Sequence, residues 1–140
     1  ESDQIYQLSF PQGLTLRQKL ELLIRHQHAW IIRRKDLFLF FIQKGLPALS
    51  SSKRYTFDLK QRCIDQLIAW FTEHASTQEL GEHNATSAAL AYWGITHTFF
   101  LYWLRNPSPC FEDIIPQMLD FFFHGLEGPI ELPKERYATA

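Results

Sequence analysis

The residue types most able to do chemistry in this chain gather in residues 91–106, AYWGITHTFFLYWLRN, with support from a few positions further upstream. Tyr92, Trp93, Thr96, His97 and Phe100 share this stretch, and Cys63 and Trp70 lie on the preceding apolar segment. Phe38 and Phe41 could add a wall. An apolar cleft with a few convergent polar groups is what the binding of a small molecule requires. Taken singly, each aromatic is more simply explained as core filling. As a group they point further, because Trp and Tyr carry polar atoms that need partners once buried. His97, set among apolar neighbours, reads as a satisfied core histidine rather than a catalytic base.

Other chemistries find little support. His26 and His28 are two apart, so on a helix they face different sides and cannot share a metal. Glu79 and His83 have chelating spacing, but Gly81 between them ends the helix such a pair would need. No Gly-rich phosphate loop, nucleophile triad phrase or Glu-x-x-His pair is present. The expectation is a protein that is not an enzyme and that carries no cofactor and no metal.

Composition narrows the class. The chain has 140 residues and is 46% hydrophobic, enough for one globular domain with a real core. Its net charge of -1, with one short basic cluster at Arg33-Arg34-Lys35, argues against a nucleic-acid surface within it. That cluster is most simply a solvated helix end; an anionic-ligand or membrane-proximal contact is the alternative. Cys63 and Cys110, in no metal or redox motif, read as free thiols of a cytoplasmic protein. No apolar run is long enough to span a membrane and no signal peptide is visible, so no membrane association is expected.

The elements that must position these residues are helical. Residues 1–14 form an irregular lead-in, with slight period-two alternation from Ile5 to Phe10. Thr15 with Gln18 is a capping-box pattern, and Leu16, Leu20, Leu23, Ile24, Gln27 and Ile31 follow at helical spacing to about Arg34. Asp36 is placed as the cap of a short helix, Leu37 to Ile42, stopped by Gly45 and Pro47. Residues 48–54 read as a polar loop. A third helix is expected from Phe57 to Gln78, closed by Gly81. A fourth runs from the N-cap Asn84 to Asn106. A fifth starts within 108–110; if Asp113 is its effective cap, Pro116 falls in the first turn. The result is an all-α bundle of five to six helices over residues 15–128, with a loosely ordered tail at 129–140.

Projected at 100° per residue, the fourth helix shows a small-residue seam of Ser87, Ala91, Gly94 and Thr98, suited to close helix packing or simply to a smooth solvent face. The fifth has one polar stripe, Asp113, Gln117, Asp120 and His124; the rest is apolar over more than half the circumference. As the last helix of a small domain it is expected to have too few neighbours, so a partner chain would cover the surplus. Ala91, Gly94, Thr98 and Leu101, with Ile115, Met118, Leu119 and Phe122, are the candidate homodimer interface, a four-helix arrangement closed by two-fold symmetry.

The stretch ATSAALAYWGITHTFFLYWLRNPSPCFEDIIPQMLDFFFHGLEG resembles the end of TetR-type transcriptional regulators. It has a helix with an embedded Gly, a wide aromatic face, a Pro-containing loop, and a last helix closing on Phe-Phe-His-Gly-Leu at 122–126. GEHN at 81–84 is similar to the turn that precedes that interface helix. The resemblance covers residues 15–128 and implies a small-molecule-sensing, dimerising domain whose effector is apolar or aromatic. DNA would be read only through an N-terminal helix-turn-helix that this sequence does not contain; residues 1–14 could be a remnant of the linker to it. Two alternatives stay open: a helical interaction module with a filled core, and a cofactor- or metal-binding bundle.

Overall fold

A computed structural model describes residues 6–37, 53–108 and 110–127, with 53–59 described as backbone only. Its helices are α1 (Leu16–Arg33), α2 (Lys53–His74), α3 (Thr77–Leu80), α4 (Ala85–Arg105) and α5 (Phe111–Glu127). There is no strand among the described residues, and the fold is all-α as the periodicity predicts. Phe38, Phe41, most of the expected second helix and the tail from Gly128 lie outside the described residues.

α1 starts where its capping box sits. The Thr15 side chain accepts from the Gln18 N–H, and the Gln18 side chain returns a bond to the Thr15 N–H at 2.9 Å. Such a cap is worth about 1 kcal/mol. Leu16, Leu20, Leu23, Ile24 and Gln27 form its buried stripe. Beyond the break at Arg34, residues 35–37 are helical again. Asp36 therefore lies inside that segment instead of capping it.

α2 begins four residues earlier than Phe57, so Lys53 and Arg54 belong to the helix rather than to a loop. It also ends earlier, at His74. Ser76 then caps a separate short helix, α3, through a second capping box with Glu79. Gly81, at φ 63°, closes α3 in a backbone region that side-chain-bearing residues rarely adopt. The Glu79 carboxylate does a second job: its Oε2 accepts the Leu16 N–H at 2.8 Å, so one anion serves the N-termini of both α3 and α1.

α4 has Asn84 as its N-cap, with the Ser87 N–H donating to the Asn84 side chain at 2.8 Å. α5 begins at Phe111, two residues before the expected cap at Asp113. The Asp113 N–H bonds the Cys110 carbonyl, and Glu112 and Asp113 supply first-turn negative charge. Pro116 consequently sits inside the helix rather than in its first turn, and removes a bond that an N–H there would make to the Glu112 carbonyl. The earlier start is what puts Phe111, 5% exposed, into the core.

α2 packs on α4, α4 on α5, and α1 on α5. Each fully buried Leu or Ile of this core, such as Leu20, Leu23 and Leu67, contributes about 1.5–3 kcal/mol. The expectation that α5 lacks neighbours is overturned, because α1 covers its second apolar flank. Exposed ion pairs run along that seam, Arg17 to Asp120 and Arg25 to both Glu21 and Glu112. Solvent-screened pairs of this kind orient the seam more than they stabilise it.

Candidate functional site

The lead-in segment reaches the centre of the bundle. Tyr6, Leu8 and Phe10 are half-buried while Gln7 and Ser9 are exposed, so the alternation seen in the sequence becomes a strap with one face inward. Gly13, at φ 84°, turns this strap into α1. Tyr6 packs at the polar heart of the molecule, and Phe10 packs further along α2.

That polar heart is a hydrogen-bonded pair. The Tyr92 hydroxyl on α4 donates to Gln27 Oε1 on α1 at 2.5 Å, and both residues are buried. Gln27 also hydrogen-bonds the Tyr6 hydroxyl, so one amide bridges two phenols. Burial pushes the Tyr6 hydroxyl well above the ordinary range, and the charged form of Cys63 nearby pushes the same way; the Gln27 bond opposes both. Burial first, and Tyr6 second, raise Tyr92 too. Both phenols therefore stay protonated at neutral pH. Phe71 lies 6.0 Å from Tyr92 and Phe122 lies 6.3 Å from it, both edge-on, so the pair is enclosed by rings. Thr96 is buried, and its hydroxyl bonds the Tyr92 carbonyl one turn back at 2.8 Å.

The structure divides the expected pocket residues among separate places. Tyr92, Thr96 and half-buried Cys63 belong to the polar heart. Trp70, 3% exposed, sits with Phe10, Phe71 and His74. Phe100 stacks on Phe111 at 5.5 Å, towards α5. Trp93 and His97 stack on each other at 5.2 Å. His97 is exposed and so is not the core histidine its neighbours suggest; its position on α4 turns it outward, near Lys60. Partial desolvation, then the Lys60 charge, hold its pKa below the usual imidazole range.

The interface candidates divide as well. Ala91, Gly94 and Thr98 are exposed, Leu101 is half-buried, and no atom stands within 4 Å of a Cβ built on Gly94. Among the described residues the seam is a smooth outer face and nothing packs closely on it. Ile115, Met118, Leu119 and Phe122 are 1–3% exposed and fill the chain's own core, which removes them from any surface a second copy could reach. In their place Phe121, 64% exposed, and Tyr102, 66% exposed, carry the outer apolar surface of α5 and α4. Phe121 leans on half-buried Phe99 at 6.3 Å, which joins the two helices into one face.

Sequence reasoning missed the environment of His28. Its imidazole lies flat on Phe111, with centroids 3.6 Å apart and planes 6° from parallel, and meets Trp103 edge-on at 5.0 Å. Its buried Nε2 has no hydrogen-bond partner among the described residues. Burial lowers its pKa, and the nearby Glu112 carboxylate only partly offsets that. Gln27 and the strap residues Tyr6 and Phe10 were also missed as site residues. A glutamine on the apolar stripe of α1 was the signal for the first, and the period-two alternation for the others.

Two open clefts border the described residues. One, about 490 Å³, lies between the α3 turn and the end of α5, beside Glu79, Gly81, Phe123 and Leu126. The other, about 440 Å³, lies between the strap and the facing ends of α1 and α2, beside Phe10, Lys19, Glu73 and His74. Neither is lined by the residues expected to form a pocket. Among the described residues no group of three or more His, Cys, Asp or Glu side chains could hold a metal ion. No helix among them is long and apolar enough to cross a membrane. Neither Cys63 nor Cys110 is in a disulfide. The chain matches no protein-family model, and no curated protein or solved structure was found to be similar to it.

Proposed function

We propose that this domain is the small-molecule-sensing and dimerising part of a transcriptional regulator of the TetR type, with DNA read by a segment outside this chain. The observation that carries the reading is the Tyr92–Gln27–Tyr6 bridge. It ties the helix that would face an effector to the strap that leads towards whatever lies upstream. A ligand that binds one arrangement of this bridge better than another shifts the strap with it, and differential affinity of that kind is the basis of effector control. The ligand suited to such a site is neutral and aromatic or apolar, with a group able to exchange hydrogen bonds with a phenol or an amide. The outer face around Phe121 and Tyr102 supports the second half of the reading. Two exposed aromatics on adjacent helices form an apolar patch that a second copy would cover.

A ligand screen tests the sensing half. Neutral aromatic and acyl compounds are titrated while tryptophan fluorescence is followed. The reading expects saturable changes that Gln27→Met weakens at least tenfold, because the methionine cannot bridge the phenols. A broad library that leaves the fluorescence of the wild-type chain unchanged would count against it. That result would favour a second reading, an interaction module with a filled core, which the satisfied hydroxyls of Tyr92 and Thr96 support.

A further inference from the structure

Among the described residues the Trp70 indole is the most fully buried polar side chain whose donor goes unused. The residue is 3% exposed, and its Nε1 has no hydrogen-bond partner among them. Burying an unsatisfied N–H is costly, and native folds rarely tolerate one without a reason. Two rings cover this indole on the side of the strap. Phe10 meets it edge-on at 5.9 Å and His74 lies at 4.9 Å, while Phe10 and His74 also contact each other edge-on at 5.0 Å. Those same two residues form a wall of the 440 Å³ cleft between strap and helices. The indole that carries the unused donor thus lies one ring-layer behind an open cleft.

We infer that this cleft is a binding site for a small neutral aromatic molecule bearing a carbonyl oxygen. The ring of Phe10 is its removable plug, and the Trp70 N–H is its hydrogen-bond donor. Three observations fit the plug. Phe10 is only half-buried, it belongs to a segment with neither helix nor strand around it, and Gly13 provides a pivot a few residues away. An incoming ring recovers the edge-on contacts that Phe10 gives up, and its oxygen adds a bond that Phe10 cannot make. The cleft's charges set the ligand's charge. Lys19, whose ammonium donates to the His74 carbonyl at 2.9 Å, and the exposed Glu73, whose carboxylate lies 3.8 Å from His74 Nε2, both line it, so one cation and one anion stand at the mouth. A neutral molecule enters such a site without leaving either charge unpaired. This inference goes beyond the regulator reading and does not depend on it.

The test follows indole N–H resonances in ¹⁵N-labelled protein. The chain has four tryptophans, so the region is sparse, and Trp70→Phe assigns the signal. If that variant does not fold, replacing Trp30, Trp93 and Trp103 one at a time assigns it by elimination. Benzamide is the probe, and toluene is the control that lacks an acceptor. Benzamide is expected to move the Trp70 signal downfield saturably, and Phe10→Ala to bind it about tenfold more tightly by removing competition from the plug. Toluene leaves the signal's position unchanged. Two results overturn the inference: no movement with benzamide in either protein, or equal movement with toluene. Neither outcome bears on whether the chain dimerises, so a failure here is distinguishable from a failure of the regulator reading.

Discussion

At the scale of single residues, Gln27 and His28 are neighbours in sequence with opposite situations. Gln27 is buried and bridges two phenols, accepting from the Tyr92 hydroxyl. Tyr92→Phe leaves the amide oxygen short of a donor inside the core. Chemical denaturation should show a loss of about 1–3 kcal/mol. Gln27→Met with Tyr92→Phe and Tyr6→Phe removes all three polar groups of the bridge and should recover part of that loss. His28 is half-buried, its Nε2 is unpaired among the described residues, and its pKa is lowered chiefly by burial. A lowered imidazole pKa means the unfolded chain takes up a proton more readily than the folded one. The stability due to neutral His28 is therefore fully present above the ordinary imidazole pKa of about 6.5 and is lost as pH falls towards the folded value. His74 and His97 are shifted in the same direction and add to the slope. His28→Phe keeps the stack on Phe111 and should flatten the fall in melting temperature between pH 7 and pH 5. An unchanged slope would place the acid sensitivity on the other two histidines.

At the scale of elements, the helices with side-chain caps were legible in the sequence and those shaped by tertiary contacts were not. Thr15 with Gln18 and Asn84 alone are local signals, and the structure uses both as read. The capping phrase Ser76-Thr77-Gln78-Glu79 was equally visible. The apolar periodicity running on from α2 masked it, and a single helix was expected where the chain breaks at Ala75. The start of α5 expected within 108–110 lies directly before Phe111, and only an effective cap at Asp113 would have been late; the burial of Phe111 against His28 and Phe100, which favours the earlier start, is a tertiary effect. A cap at Asp113 would have put Pro116 in the first turn, where it is not. This residue is exposed and inside the helix, so Pro116→Ala restores a backbone bond without loss of packing. Thermal unfolding should show a gain of about 1–2 kcal/mol, after allowing for the extra freedom of the unfolded chain. No gain would mean that the first turn of α5 already frays around the proline.

At the scale of the whole molecule, the wheel of α5 correctly signalled that one neighbour could not cover its apolar arc, but it could not say which body supplied the second. α1 supplies it, held in register by Arg17 and Arg25. Helix order along a chain does not disclose which elements return to each other, and this is why core residues of α5 were read as interface. The polar stripe around Gln117 and His124 borders the exposed Phe121. The candidate pocket was legible only as an inventory of aromatics. They are distributed over four separate packing sites, and two of these involve the strap, whose few alternating residues carry little weight on sequence alone.

The central claim is that the α4–α5 face joins two copies of this chain, as a regulator of this type requires. The direct measurement is the mass in solution by light scattering at micromolar concentration, for the wild-type chain and for Tyr102→Glu with Phe121→Glu. Both side chains are exposed, so the double variant should retain its stability to within about 0.5 kcal/mol. The account predicts about twice the 16.5 kDa chain mass for the wild type and the single-chain mass for the variant. A wild-type mass of one chain, or a dimer that survives both substitutions, would contradict it.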